Sequence, residues 1–171
     1  MNESKIIKYA KKNKLDETNI LTITDTTYLK TLALIDMTYP EIMVFDKEGK
    51  YIKYKDDKAC NASAFKFIDS LRISNNYSTI ATINLNSLQN NFRDLNGNTI
   101  NIIDKNSDFT LLLFWTEWTG KLNKDHTLIW ENKAKNNINC KISLYKINCD
   151  FQEYWNSQER EKIINHLSGK K

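Results

Sequence analysis

The amino-acid sequence predicts an α/β protein in which a sheet is flanked by helices. Three observations carry that expectation. Segments of strand character alternate along the chain with segments whose apolar residues recur at helical spacing. Phe109 to Trp115 is an unbroken apolar and aromatic run, the composition of a strand buried on both faces. The chain has 171 residues, 40% hydrophobic and 27% charged, with one proline and four glycines. That composition fits an ordinary globular domain and excludes collagen-like, linker-rich and low-complexity classes.

The elements follow in order. Ser4 to Leu15 sets Ile6, Ile7, Ala10 and Leu15 along one side of a lysine-rich helix, with Ser4 as its N-cap. Ile20 to Thr24 alternates in strand fashion. Asp25 is placed to cap a second helix running to Met37, with Tyr28, Leu29, Leu32 and Ile35 on its buried side. Pro40 precedes a strand over Glu41 to Asp46, a turn over Lys47 to Lys50 and a returning strand over Tyr51 to Lys55. Gly49 supplies the positive φ that a short hairpin needs. Asn61 is placed to cap a helix carrying Ala64, Phe65, Phe67, Ile68 and Leu71.

The chain reads as one domain in three stretches. Residues 1–72 form a first half with the Pro40 hairpin. Residues 73–91, rich in Asn, Ser and Thr, are a surface-running connecting segment with a helical turn near Leu85 to Phe92. Residues 92–171 form a second half. It opens on a hairpin around Asn96-Gly97 and continues with the central strand 109–115. A long helix over Lys121 to Asn137, a strand over Lys141 to Asn148 and a last helix over Ser157 to Leu167 follow.

Composition excludes several function classes. The formal charge is +4, but it comes from 22 lysines against 3 arginines, scattered among acids. Nucleic-acid surfaces cluster basic residues and favour arginine, so no nucleic-acid partner is expected. Lysine, asparagine and isoleucine share A/T-rich codons, and their abundance reports the genome. No apolar run approaches 18 residues, so no membrane span is expected, and the N-terminal residues show no signal-peptide pattern in this chain. Cys60, Cys140 and Cys149 with His126 and His166 lack zinc-site spacing, so no metal and no cofactor are expected. Cys140 and Cys149 flank one extended strand, which would hold them roughly 30 Å apart and unbonded.

Phe114-Trp115-Thr116-Glu117-Trp118-Thr119-Gly120-Lys121-Leu122, between a buried strand and a long helix, resembles the active-site segment of the thioredoxin-like superfamily. The likeness is to the bacterial thiol-disulfide oxidoreductase group, with its pattern F-W-A-x-W-C-G-P-C. Phe92-Arg-Asp-Leu-Asn-Gly97 looks like that group's leading hairpin. Lys141 to Asp150 looks like the strand after the active-site helix, and Tyr39-Pro40 to Lys50 like the cis-proline segment and its hairpin. The matching stretches cover roughly two thirds of the chain.

Two departures shape what the resemblance implies. Thr119 and Leu122 stand where the redox cysteines would be. Thiol-disulfide exchange needs a thiolate to attack and a second cysteine to resolve, and neither side chain supplies one. The cis-proline-like hairpin also precedes the active-site-like half instead of following it. A permuted single domain, two degenerate copies fused, and completion by a second chain all fit that order; one sheet drawing strands from both halves is the geometry expected.

The function expected from the resemblance is a redox-inactive binding or scaffold module for a protein or peptide partner. Its contact surface would comprise Trp118, Thr119, Gly120, Lys121 and Leu122 together with Tyr39 and Pro40. One alternative is a thiol-dependent peroxidase or oxidoreductase using Cys60, which sits just before a helix N-terminus where a thiolate is stabilised. Another is a structural subunit completed by homodimerisation. Related thiol-disulfide proteins work in the bacterial cell envelope, which is the location the resemblance implies. Other candidates have ordinary structural readings beside them. Trp115 and Trp130 read as core, and only Trp118 as exposed. His126 and Asp125 are helix neighbours that point in different directions. Thr119-Gly120 with Lys121 offers an anion the backbone N–H groups of a helix start, as every helix start does.

Overall fold

The computed structural model of the chain describes residues 1–56 and 60–169. All seven residues of Phe109–Trp115 are buried, as the unbroken apolar run requires, and this strand, β6, lies at the centre of one sheet. The other strands are β1 (Ile20–Ile23), β2 (Glu41–Phe45), β3 (Lys50–Ile52), β4 (Thr79–Asn84), β5 (Phe92–Arg93) and β7 (Ile142–Asn148). They form a seven-stranded mixed sheet in the order β4-β3-β2-β6-β7-β1-β5. β1, β7 and β6 run parallel, while β2, β3, β4 and β5 each pair antiparallel with a neighbour. The sheet therefore draws strands from both halves of the chain.

Among the described residues six helices flank it: α1 (Glu3–Lys12), α2 (Tyr28–Leu34), α3 (Ser63–Ser70), α4 (Leu85–Leu88), α5 (Leu128–Lys135) and α6 (Ser157–Leu167). Strand side chains alternate between faces, so β6 sends Leu111, Leu113 and Trp115 one way and Leu112 and Phe114 the other. The first set packs with Ile6 and Ala10 of α1, Ala64 and Ile68 of α3, and Trp130 of α5. The second packs with Tyr28 and Leu32 of α2, Leu85 and Leu88 of α4, and Ile163 of α6. Burial on both faces is why β1 and β2 are buried at every position rather than at alternate ones.

Several local expectations need correcting. The first helix is capped by Asn2, whose side chain accepts from the Lys5 N–H, and not by Ser4; it ends at Lys12, leaving Leu15 buried beyond it. Asp25 opens a 3₁₀ turn over Asp25–Thr27, and α2 starts at Tyr28. Asn61 does not cap α3; its side-chain amide donates to the Pro40 carbonyl instead. Residues 73–91 are not only a connecting segment, because they contain β4, an edge strand with no fully buried residue, as well as α4. The helix after β6 is interrupted by a π-turn at Asn123–Thr127 before it continues as α5. Gly49 does take the predicted positive φ, 76°, with Leu85 Cβ 3.3 Å from where a side chain would start. The final helix occupies the predicted residues.

Candidate functional site

The carboxyl ends of β1, β7 and β6 share one edge of the sheet with the amino end of β2, because β2 runs antiparallel with Glu41 opposite Phe114. In sheets with parallel strands, crevices at this edge are where ligands bind. Here the chain leaves β6 at Trp115 and makes a 3₁₀ turn over Glu117–Thr119. It passes Gly120 at φ 53° and ψ −111°, a backbone strained for other residues, and enters the helix. From the neighbouring strand, β2 is preceded by Tyr39-Pro40, whose peptide bond is cis. The Tyr39 and Trp118 rings meet edge to face, with centroids 5.7 Å apart and planes at 78°.

These two rings wall a cleft of about 470 Å³, also lined by Met1, Tyr28, Leu32, Met37, Thr116, Cys149, Asp150, Phe151 and Leu167. Trp118 is 72% exposed, and Met37 and Leu167 on the rim are also exposed. Tyr28 packs edge-on against Phe151 and Trp155, and its hydroxyl donates to the Cys149 carbonyl at 2.7 Å. Burial raises the Tyr39 and Tyr28 hydroxyls well above the ordinary tyrosine pKa, so both are neutral donors at physiological pH. The Thr116 hydroxyl is buried and has no hydrogen-bond partner among the described residues. Asp150 Oδ2 accepts from the Glu117 N–H and the Asn148 side-chain amide, each at 2.8 Å. That bond to Glu117 fixes the turn carrying Trp118 to the end of β7.

The turn is also held from beneath. Asn123, fully buried at the start of the π-turn, donates to the Thr116 carbonyl at 2.7 Å and to the Tyr9 hydroxyl at 2.8 Å. Its Oδ1 lies 2.9 Å from the Thr119 hydroxyl, which is 2.8 Å from the same Thr116 carbonyl. Tyr9 stacks on Trp115 with centroids 5.3 Å apart. A π-turn shifts the helix by one residue, and here it aims Asn123 at the loop it stabilises.

Of the candidate residues, the structure brings Tyr39 and Trp118 into contact along the cleft and buries Pro40 next to Tyr39. Thr119 is buried, with its hydroxyl in the Thr116–Asn123 cluster. Lys121 and Leu122 are exposed one turn further on and do not line the cleft. Lys121 pairs instead with Asp125 at 3.7 Å. His126 does not meet Asp125 but packs between the Phe65 and Trp130 rings. Cys60 is exposed and lines a separate groove of about 360 Å³ with Glu41, Lys55 and Asn61. All three cysteines are free. Among the described residues no group of His, Cys, Asp and Glu is placed to hold a metal ion, and no helix is long and apolar enough to cross a membrane.

Sequence reasoning missed Tyr28, Met37, Thr116, Asp150 and Phe151 as cleft residues. It also missed a buried ion pair on the other face of the sheet. Lys146 Nζ on β7 donates to Glu131 Oε1 on α5 at 2.9 Å, with both side chains at most 2% exposed, and Lys135 lies 3.3 Å from the same oxygen. Compared with known proteins, the chain matches no family model, no curated protein and no solved structure.

Proposed function

We propose that the protein is a redox-inactive thioredoxin-like binding or scaffold module that holds an extended polypeptide in the cleft lined by Tyr39 and Trp118. The observation that carries this reading is the pairing of the strand-to-helix turn after β6 with the turn before β2. They form an aromatic-walled cleft at the carboxyl edge of the parallel strands. It has the size of a ligand site and the expected character of one, a mostly apolar wall with a few polar groups. The resemblance in Phe114 to Leu122 and in Tyr39 to Lys50 supports it. Thr119 and Leu122 at the family's cysteine positions carry the redox-inactive part, since neither side chain offers a thiolate.

The test is selection of binders from a displayed random-peptide library, followed by affinity measurement on Trp118→Ala. Trp118 is largely exposed, so this change costs stability little beyond its ring contact with Tyr39, about 0.5–1.5 kcal/mol. Binding is expected to weaken at least about tenfold, the scale of an aromatic anchor in an interface. Selected peptides that bind Trp118→Ala as tightly as the native protein would place the contact surface elsewhere.

A further inference from the structure

We infer that Met37 determines the specificity of the cleft, held in a strained conformation so that its thioether walls a site for an apolar side chain of the bound polypeptide; this rests on the reading of the cleft as a polypeptide-binding site. The chain leaves α2 through a Schellman motif. The Asp36 N–H donates to the Ala33 carbonyl at 3.3 Å and the Met37 N–H to the Leu32 carbonyl at 3.0 Å. That motif asks for one left-handed residue, and Asp36, at φ 49°, supplies it with a side chain that tolerates the region. Met37 is left-handed as well, at φ 52°, where a long side chain carries a steric cost. Ending the helix therefore accounts for Asp36 and not for Met37.

Burial does not account for Met37 either, since it is 47% exposed. Its position places it on the rim of the cleft with Trp118 and Leu167, the other exposed apolar residues of the lining. Backbone strain that the local fold does not require gathers at ligand clamps. A thioether on three rotatable bonds also moulds itself to apolar partners of varied shape.

The polar groups of the cleft are already committed, and that selects the occupant. The Thr116 hydroxyl is fully buried, and the Tyr28 hydroxyl donates to the Cys149 carbonyl. Asp150 accepts two hydrogen bonds, and the Met1 amino group lies near enough to offset its charge. Tyr39 and Trp118 touch edge to face, so the space for an occupant lies beside those rings, along Met37, Leu32 and Phe151. A cation or an anion would leave water here without gaining an unpaired partner. An apolar side chain gives up no hydrogen bond and covers apolar wall.

The experiment measures affinities of capped tripeptides Gly-X-Gly, with X norleucine, glutamine, lysine or glutamate, by chemical-shift titration of the full chain. The norleucine peptide is expected to bind at least about tenfold tighter than the other three, with an advantage that persists as salt rises. Met37→Gly is expected to weaken norleucine binding about fivefold or more and to raise the urea midpoint, because glycine takes positive φ freely. Met37→Asn, which tolerates the same φ, should fold like the native chain and lose the preference, while Met37→Leu, apolar and of similar volume, should keep it. A merely structural Met37 would lower the midpoint in Met37→Gly. That result, or norleucine binding unchanged in both Met37→Gly and Met37→Asn, overturns the role of Met37. A glutamine, lysine or glutamate peptide that binds as tightly as norleucine overturns the apolar choice while leaving the cleft reading intact, provided Trp118→Ala weakens both. Absence of binding by all four at millimolar peptide overturns the inference, and the library selection then decides the cleft reading on its own. Peptide binding that survives Trp118→Ala, or shifts confined to other surfaces, overturns the cleft reading itself.

Discussion

Three thiols in one chain meet three different environments, and their chemistry should differ accordingly. Cys60 is exposed, Cys140 half-buried and Cys149 fully buried. Burial, with Asp108 nearby, pushes the Cys140 thiol up to about 11. Burial again, with Asp150 adding to it, carries Cys149 well above the ordinary thiol value. Only the thiolate reacts with an alkylating reagent, so the exposed Cys60 should be labelled first and Cys140 slowly. Cys149 should be labelled only after unfolding. Peptide mass spectrometry of a timed iodoacetamide reaction across pH reads all three at once. Rapid labelling of Cys149 in the native protein would contradict its packing. Rapid labelling of Cys60 well below pH 8 would favour the alternative in which Cys60 does thiol chemistry in its own groove.

At the level of elements, β7 and α5 are tied by the Lys146–Glu131 pair as well as by apolar contact. Glu131 Oε2 also accepts from the Asp16 N–H at 3.2 Å, so the carboxylate joins the chain ahead of β1 to the same tie. A buried pair is weak as a source of stability but costly to break on one side, because the remaining charge stays out of water. Glu131→Gln is therefore expected to cost about 3–5 kcal/mol in urea unfolding, while Glu131→Leu with Lys146→Met should cost far less than the two single changes summed. A Glu131→Gln cost under about 1 kcal/mol would show that the Lys146 ammonium finds other solvation. None of this was legible beforehand, since a lone lysine in an apolar strand carries no signal of its partner 15 residues away. Phe109–Trp115 and Ser157–Leu167 were legible because burial on both faces, or on one helical stripe, writes itself into the residue pattern. β4 was not: none of its Thr-Ile-Ala-Thr-Ile-Asn residues is fully buried, and backbone pairing to β3 holds it in place. The π-turn left no trace either, because nothing in Asn123–Thr127 differs from an ordinary polar helix turn. At the candidate site, Tyr39 and Trp118 were legible through a motif. Tyr28 and Phe151 belong to no motif, Asp150 only closes the stretch likened to a strand, and all three arrive through the order of strands in the sheet.

That order has a consequence for the molecule as a whole. β6 and β7, from residues 92–171, sit between β2 and β1, from residues 1–72. β1 and β2 never pair with each other, so in an isolated 1–72 fragment each would lose its main neighbour. In an isolated 92–171 fragment, β6 and β7 would become edges, with their apolar faces and backbone groups unpaired, a state prone to association. The two stretches should therefore fold only together. All four tryptophans, Trp115, Trp118, Trp130 and Trp155, lie in the second stretch, while α1, α2 and α3 lie in the first. Tryptophan fluorescence thus reports one stretch and far-ultraviolet circular dichroism both. In urea the two signals should trace one coincident transition, and the 1–72 fragment alone should show no cooperative melting. Two separated transitions, or a cooperative transition in the isolated fragment, would mean that the stretches are independent units joined side by side. The cleft would then be a boundary between two bodies, whereas coincident unfolding makes it an edge of one interleaved sheet, with Tyr39 and Trp118 held in register by the β2–β6 ladder.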